Sequence, residues 1–147
     1  MTPLRETETE AGSREEPADV SLEKALEKAH APPLGPVLAA RGLGAYPGYA
    51  ELLASMARLA SRGYRLHRIG KSVQGEPLFA LHLGPEPRGA LTRTTVVLSL
   101  VHPFEWIGAA AHFRLLDRLL AHDLGDRSVI AIPIVNPDGV RRVDQTL

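Results

Sequence analysis

The sequence predicts an α/β protein: a partial mixed, mainly parallel sheet flanked by helices and preceded by an N-terminal antiparallel hairpin. Three observations carry this. Thr95 to Val101 is nearly unbroken Val and Leu, and Val129 to Val135 nearly unbroken Val and Ile, the composition of strands covered on both faces. Between them Trp106, Ala109, Ala110, Phe113, Leu116 and Leu120 trace one helical stripe, with Arg114, Asp117 and Arg118 elsewhere and Gly125 after the end. Strand, helix, strand in that order is a parallel crossover unit.

The elements follow in chain order. Residues 1 to 45 read as an acidic, Pro-rich leader: the first twenty have almost nothing to bury and predict disorder. A short helix is expected over 21–30, where Leu22 and Leu26 are one turn apart and Ser21 is placed to cap it. Pro32, Pro33, Gly35 and Pro36 then break the chain, so the folded domain is expected over 46–147. From Pro47 to Ser61, Tyr49, Leu52, Leu53, Met56 and Leu59 recur at helical spacing, with Pro47 suited to a first turn and Gly63 to a stop. Tyr64 to Ile69 and Leu78 to Leu83 read as strands joined across Ser72 to Glu76, hence the hairpin.

Composition bounds the function. The 147 residues allow one domain of ordinary size, and 17 basic residues balance 17 acidic ones. The overall charge therefore gives no argument for a nucleic-acid or membrane partner. Residues 1 to 30 nevertheless hold eight acids against four bases, and the remainder nine against thirteen. Without cysteine there is neither a disulfide framework nor a thiolate-ligated metal, so zinc would need His and carboxylate ligands. The N-terminus leads into glutamates rather than an apolar stretch; no secretory signal or spanning helix is expected, and the location is read as cytoplasmic.

His102 and Glu105, directly behind the first apolar run, are the candidate metal ligands. A histidine at a strand end and a glutamate three residues on, in the first turn of a helix, converge on one ion because i and i+3 share a helix face. The same pair also reads as a histidine beside a helix-capping glutamate, and position favours the ligand reading: sites in open α/β sheets form beyond the carboxyl ends of the strands. Asn136-Pro137-Asp138-Gly139 has the chemistry of a tight turn, and its location at the tip of the neighbouring parallel strand is what gives it interest. Other motifs fail. Gly70-Lys71-Ser72 lacks the glycine a phosphate loop needs, since Arg65 stands there, and Ser72 is not in a nucleophile elbow. His112 and His122 read as solvated or capping residues, His112 lying about 10 Å along the helix axis from Glu105. His82 would join the site only if its strand ended beside His102.

Taken together, the helix, the hairpin with Ile69 to Leu78, the strand leading to His102-x-x-Glu105-Trp106-Ile107, the next helix and strand, and Asn136-Pro137-Asp138-Gly139 resemble the N-terminal part of the zinc metallocarboxypeptidases, the carboxypeptidase A-like family. The resemblance covers Tyr46 to Leu147, the first third to half of such a catalytic domain. It implies that His102 and Glu105 are the first two ligands of one zinc ion, incompletely ligated by this chain. It also implies that the third ligand, the arginines that hold a terminal carboxylate and the general-base glutamate all lie after the Asn-Pro-Asp-Gly segment. No catalytic residue is thus expected within this chain, and the expectation is a truncated domain, inactive alone, that in full hydrolyses a peptide or amide bond at a C-terminal residue. Two departures bear on substrate: Phe104 stands where many members have arginine, and Glu76 where relatives often have arginine. Arg141 and Arg142 match no family position and read as surface charge. The alternatives are a non-catalytic carboxypeptidase-like binding or structural module, and a zinc amidohydrolase acting on acylated amino acids. Self-association through an incomplete sheet is the expected partner interaction, because the last apolar strand demands cover.

Overall fold

The computed structural model describes residues 17–28, 47–87 and 93–146. Its elements are α1 (Ala18–Lys28), α2 (Tyr49–Ser61), β1 (Arg65–Lys71), β2 (Pro77–Leu83), β3 (Arg93–Leu98), α3 (Trp106–Leu119), β4 (Arg127–Ile132) and α4 (Pro137–Thr146). The expected helix over 21–30 is α1, which begins three residues earlier. Ser21 is therefore inside it, its N–H donating to the Pro17 carbonyl, and is not a cap. Leu22 and Ala25 of α1 are buried in the core beside α2. Most of the segment expected to be disordered lies outside the described residues.

Helix α2 buries the stripe read from the sequence, Tyr49, Leu52, Leu53, Met56 and Leu59. At its start the Glu51 carboxylate accepts the Gly48 N–H at 3.0 Å, satisfying one of the donors a helix N-terminus leaves open. It stops at Gly63, whose φ of 128° only glycine adopts without strain, and the Tyr64 N–H closes on the Leu59 carbonyl. Tyr64 then turns its hydroxyl into the core and donates to the Leu116 carbonyl at 2.8 Å. Burial, helped by Asp117, raises that phenol to about 12, so it remains a donor.

The sheet order is β1-β2-β4-β3. β1 and β2 form the expected antiparallel hairpin, with a bulge between Arg68 and Gly70. β2 pairs antiparallel with β4 through Leu81 to Leu83, and only β3 and β4 run parallel. The mainly parallel sheet expected from the sequence is thus corrected for these four strands: two of the three pairings are antiparallel. For β1 and β2 the physical reason is connection length: residues 72–76 are too few for the crossover of a dozen or more residues that a parallel pair needs, whereas the β3–α3–β4 connection supplies one. β2 and β4 have β3 and α3 between them in the chain, so connection length does not set their antiparallel sense.

Both apolar strands end sooner than composition implies. Pro133 has no N–H to continue β4, and Leu100 leaves the sheet with φ of 51°. The outer edge of β3 carries no strand among the described residues, and on one face of the sheet Val96 and Leu98 are 57% and 53% exposed.

Candidate metal centre

Both candidate ligands sit on the short connection between β3 and α3, at the carboxyl end of the parallel pair. Leu100 is the hinge of that connection. A leucine at positive φ is strained by about 1–3 kcal/mol, and here full burial of the side chain holds it in place. The chain then turns through Val101 to His102, whose carbonyl accepts the Glu105 N–H at 3.2 Å. Glu105 is the N-cap residue of α3, yet its side chain makes no cap hydrogen bond. A carboxylate beside a helix N-terminus is electrostatically favoured, and this one is not spent on the helix. The His102 and Glu105 side chains are both exposed and have no hydrogen-bond or ion-pair partner among the described residues.

Asn136 forms the adjoining wall. Its backbone N–H donates to the Leu100 carbonyl at 3.0 Å, and its side-chain Nδ2 donates to the Val101 carbonyl at 3.4 Å. Its Oδ1 accepts the Gly139 N–H at 2.9 Å. Asn136-Pro137-Asp138-Gly139 is therefore not the tight turn expected from its composition: it is the N-cap and first turn of α4, with proline at the first helical position, where the missing N–H costs nothing. Gly139 is required by closeness, because a Cβ there would lie 2.8 Å from the Asn136 amide nitrogen. Asp138 reaches back to the hairpin and accepts from the Ser72 hydroxyl at 2.6 Å and the Gln74 N–H at 3.1 Å.

Sequence reasoning missed three polar groups. Arg141, read as surface charge, is half-buried, pairs with the buried Glu76 carboxylate and lies 5.9 Å from the centre of the Tyr49 ring; Arg142 is exposed. The reciprocal departure, an acid at position 76, was the available signal. Asp144 accepts the Tyr49 N–H at 2.6 Å, and burial raises its carboxyl above the usual range.

His112, expected on a solvated face, is buried. Its Nδ1 lies 2.7 Å from Ser99 Oγ, and the Ser99 hydroxyl donates its one proton to the Pro133 carbonyl at 2.7 Å. Nδ1 must then carry the ring proton, which leaves Nε2 a buried acceptor without a partner. Burial alone holds His112 down to about 4. His82 faces Arg65 and Glu86 and pairs across to Ile130 in the middle of β4, away from His102. Burial and then Arg65 lower its pKa. His122 is exposed beyond α3.

One imidazole and one carboxylate therefore stand free at the strand end, a donor set suited to zinc. Among the described residues no group of three or more His, Asp or Glu side chains is arranged to hold a metal ion. The pair fits part of a zinc site.

The described elements form a mixed α/β domain whose short β3–α3 connection carries His102 and Glu105. Residues 49–147 match the zinc carboxypeptidase family, and the chain belongs to it. Among solved structures the chain is similar to bovine thrombin-activatable fibrinolysis inhibitor, at 18% identity and a TM-score of 0.59 over 69% of this chain and 35% of that one. It is similar also to carboxypeptidase A from Helicoverpa armigera, at 20% identity and a TM-score of 0.57 over 86% and 32%. A metallo-carboxypeptidase from Burkholderia cenocepacia gives 22% identity and a TM-score of 0.54 over 65% and 28%. At such identities the likeness shows the fold, and the chain spans about a third of the length of these structures. No curated protein matches the chain. Among the described residues no helix is long and apolar enough to cross a membrane.

Proposed function

We propose that this chain supplies the first two zinc ligands, His102 and Glu105, of a metallocarboxypeptidase that hydrolyses a peptide or amide bond at a C-terminal residue. The observation that supports it is the release of both side chains from structural duty: they stand three residues apart at the strand end, exposed, with neighbouring caps and hydrogen bonds satisfied by other residues. Zinc, when bound there, supplies Lewis-acid polarisation of the scissile carbonyl and a lowered pKa for an attacking water. The chain's own contribution is placement. Leu100 and Asn136 fix the connection, His102 and Glu105 offer N and O donors, and Phe104, 72% exposed beside Glu105, gives the site an apolar flank where many relatives have a cation. A third ligand, a general base and groups that grip a terminal carboxylate would complete such a site.

Zinc titration of the full chain by calorimetry tests this without an activity readout. The expected result is one weak site, weakened at least tenfold by His102→Ala or Glu105→Gln with the circular dichroism spectrum unchanged. Zinc affinity indifferent to both substitutions would sink the proposal. The rival reading is a non-catalytic module that keeps the fold while His102 and Glu105 hold no metal. That rival predicts that neither substitution matters even when the remaining polypeptide is supplied.

A further inference from the structure

The faces of α2 and α3 that meet away from the sheet enclose an open groove of about 830 Å³ whose walls carry Arg58 and Arg62 on one side and Arg114 and Arg118 on the other. Asp117 is the one acid lining it and is already paired with Arg62. Among the described residues no carboxylate pairs with Arg58, Arg114 or Arg118. Arg58 and Arg118 stand in the last turns of their helices, where a cation is favoured, but Arg114 lies one turn before Arg118 and repels it. With Arg62 taken by Asp117, the three remaining guanidinium groups of the groove form a receptor for carboxylates, with which they make charge-assisted, forked hydrogen bonds.

The same chain carries the complementary charge. Residues 6–16 hold Glu6, Glu8, Glu10, Glu15 and Glu16 against the single base Arg14. They lead directly into α1, which packs against α2. Eleven residues extended reach about 36 Å, more than the roughly 30 Å width of a small domain, so the tether spans the distance from either side. We propose that the glutamate-rich segment 6–16 docks in the arginine groove between α2 and α3 of its own chain. A second basic cluster, Lys24, Arg68 and Lys71, lies by the hairpin, but the buried Glu76 carboxylate already lines it.

Because the chain has no cysteine, a nitroxide attached through Ala11→Cys labels one position alone. In low salt the amide signals of residues 58–62 and 114–118 are expected to lose at least half their intensity, while those of β1 and β2 keep theirs. The loss should vanish near 0.5 M salt, where screening falls to a few ångströms (about 3–8 Å). It should vanish equally when the five glutamates are replaced by glutamine. Arg58→Glu with Arg114→Glu should abolish it, and lysines at positions 10 and 15 should restore it. Attenuation that is absent, that is even across the surface, or that centres on Arg68 and Lys71 overturns the proposal. So does equal attenuation in an isotope-labelled chain mixed with a separate spin-labelled copy, which would mean docking between molecules.

Discussion

Two helices start side by side at the carboxyl end of the parallel pair, and they start differently. At α4 the cap is complete: Asn136 takes the Gly139 N–H, Pro137 omits a donor, and Asp138 ties the turn to the hairpin. At α3 the N-cap residue Glu105 makes no side-chain cap bond, and the residue that begins the connection's turn, His102, is equally unengaged. Polar side chains at helix starts are normally consumed by the backbone. One terminus is fully served, while its neighbour keeps a carboxylate and an imidazole that its own backbone does not use, and it is on this difference that the proposed ligand role rests.

Substitutions that exchange the two behaviours sharpen this contrast. Asp138→Ala should cost the most, about 2–3 kcal/mol in urea unfolding, because a charged acceptor of two hydrogen bonds is lost; a cost below about 0.5 kcal/mol would make the hairpin tie ornamental. Asn136→Ala should follow at about 1–2 kcal/mol through loss of the cap, with increased amide exchange at Gly139 and Val140. Acid should then act through the buried His112. The folded pKa of His112, about 4, lies below the ordinary value of about 6.5, so the unfolded chain binds the proton first. Its contribution is complete above the higher value and is lost as pH falls toward the lower one. The urea midpoint should therefore drop between those limits and drop less in His112→Gln. Asp144, raised by burial, acts in the opposite sense, which is why the comparison with the variant is the measurement that counts. Glu105→Ala should change stability least, by under about 0.5 kcal/mol; a loss as large as that of Asn136→Ala would show that α3 depends on the residue after all.

Helix α2, the hairpin and the β3–α3–β4 crossover were legible because each shows in apolar period or turn chemistry over a local window. The position of His102 and Glu105 at a strand end was legible for the same reason. Strand limits were not, since Leu100 turns away only under tertiary confinement that no local preference announces. The burial of His112 was invisible because its partners, Ser99 and Pro133, come from two other segments. Arg141 was misread likewise: its anion is Glu76, on the far side of the chain. The Asn-Pro-Asp-Gly segment misled for a subtler reason, as the residues that favour a tight turn are also those that open a helix.

The bare outer edge of β3 bears on how the domain acquires its cover. That edge, unpaired among the described residues, presents backbone N–H and C=O groups, and Val96 and Leu98 add exposed β-prone side chains on the adjoining face. A covering strand tethered on the same polypeptide arrives at an effective concentration on the order of millimolar, whereas a stray neighbour in dilute solution competes at micromolar levels. Wherever such a strand is present on the same polypeptide, covalent linkage, more than any special affinity of the surface, favours it over a separate copy.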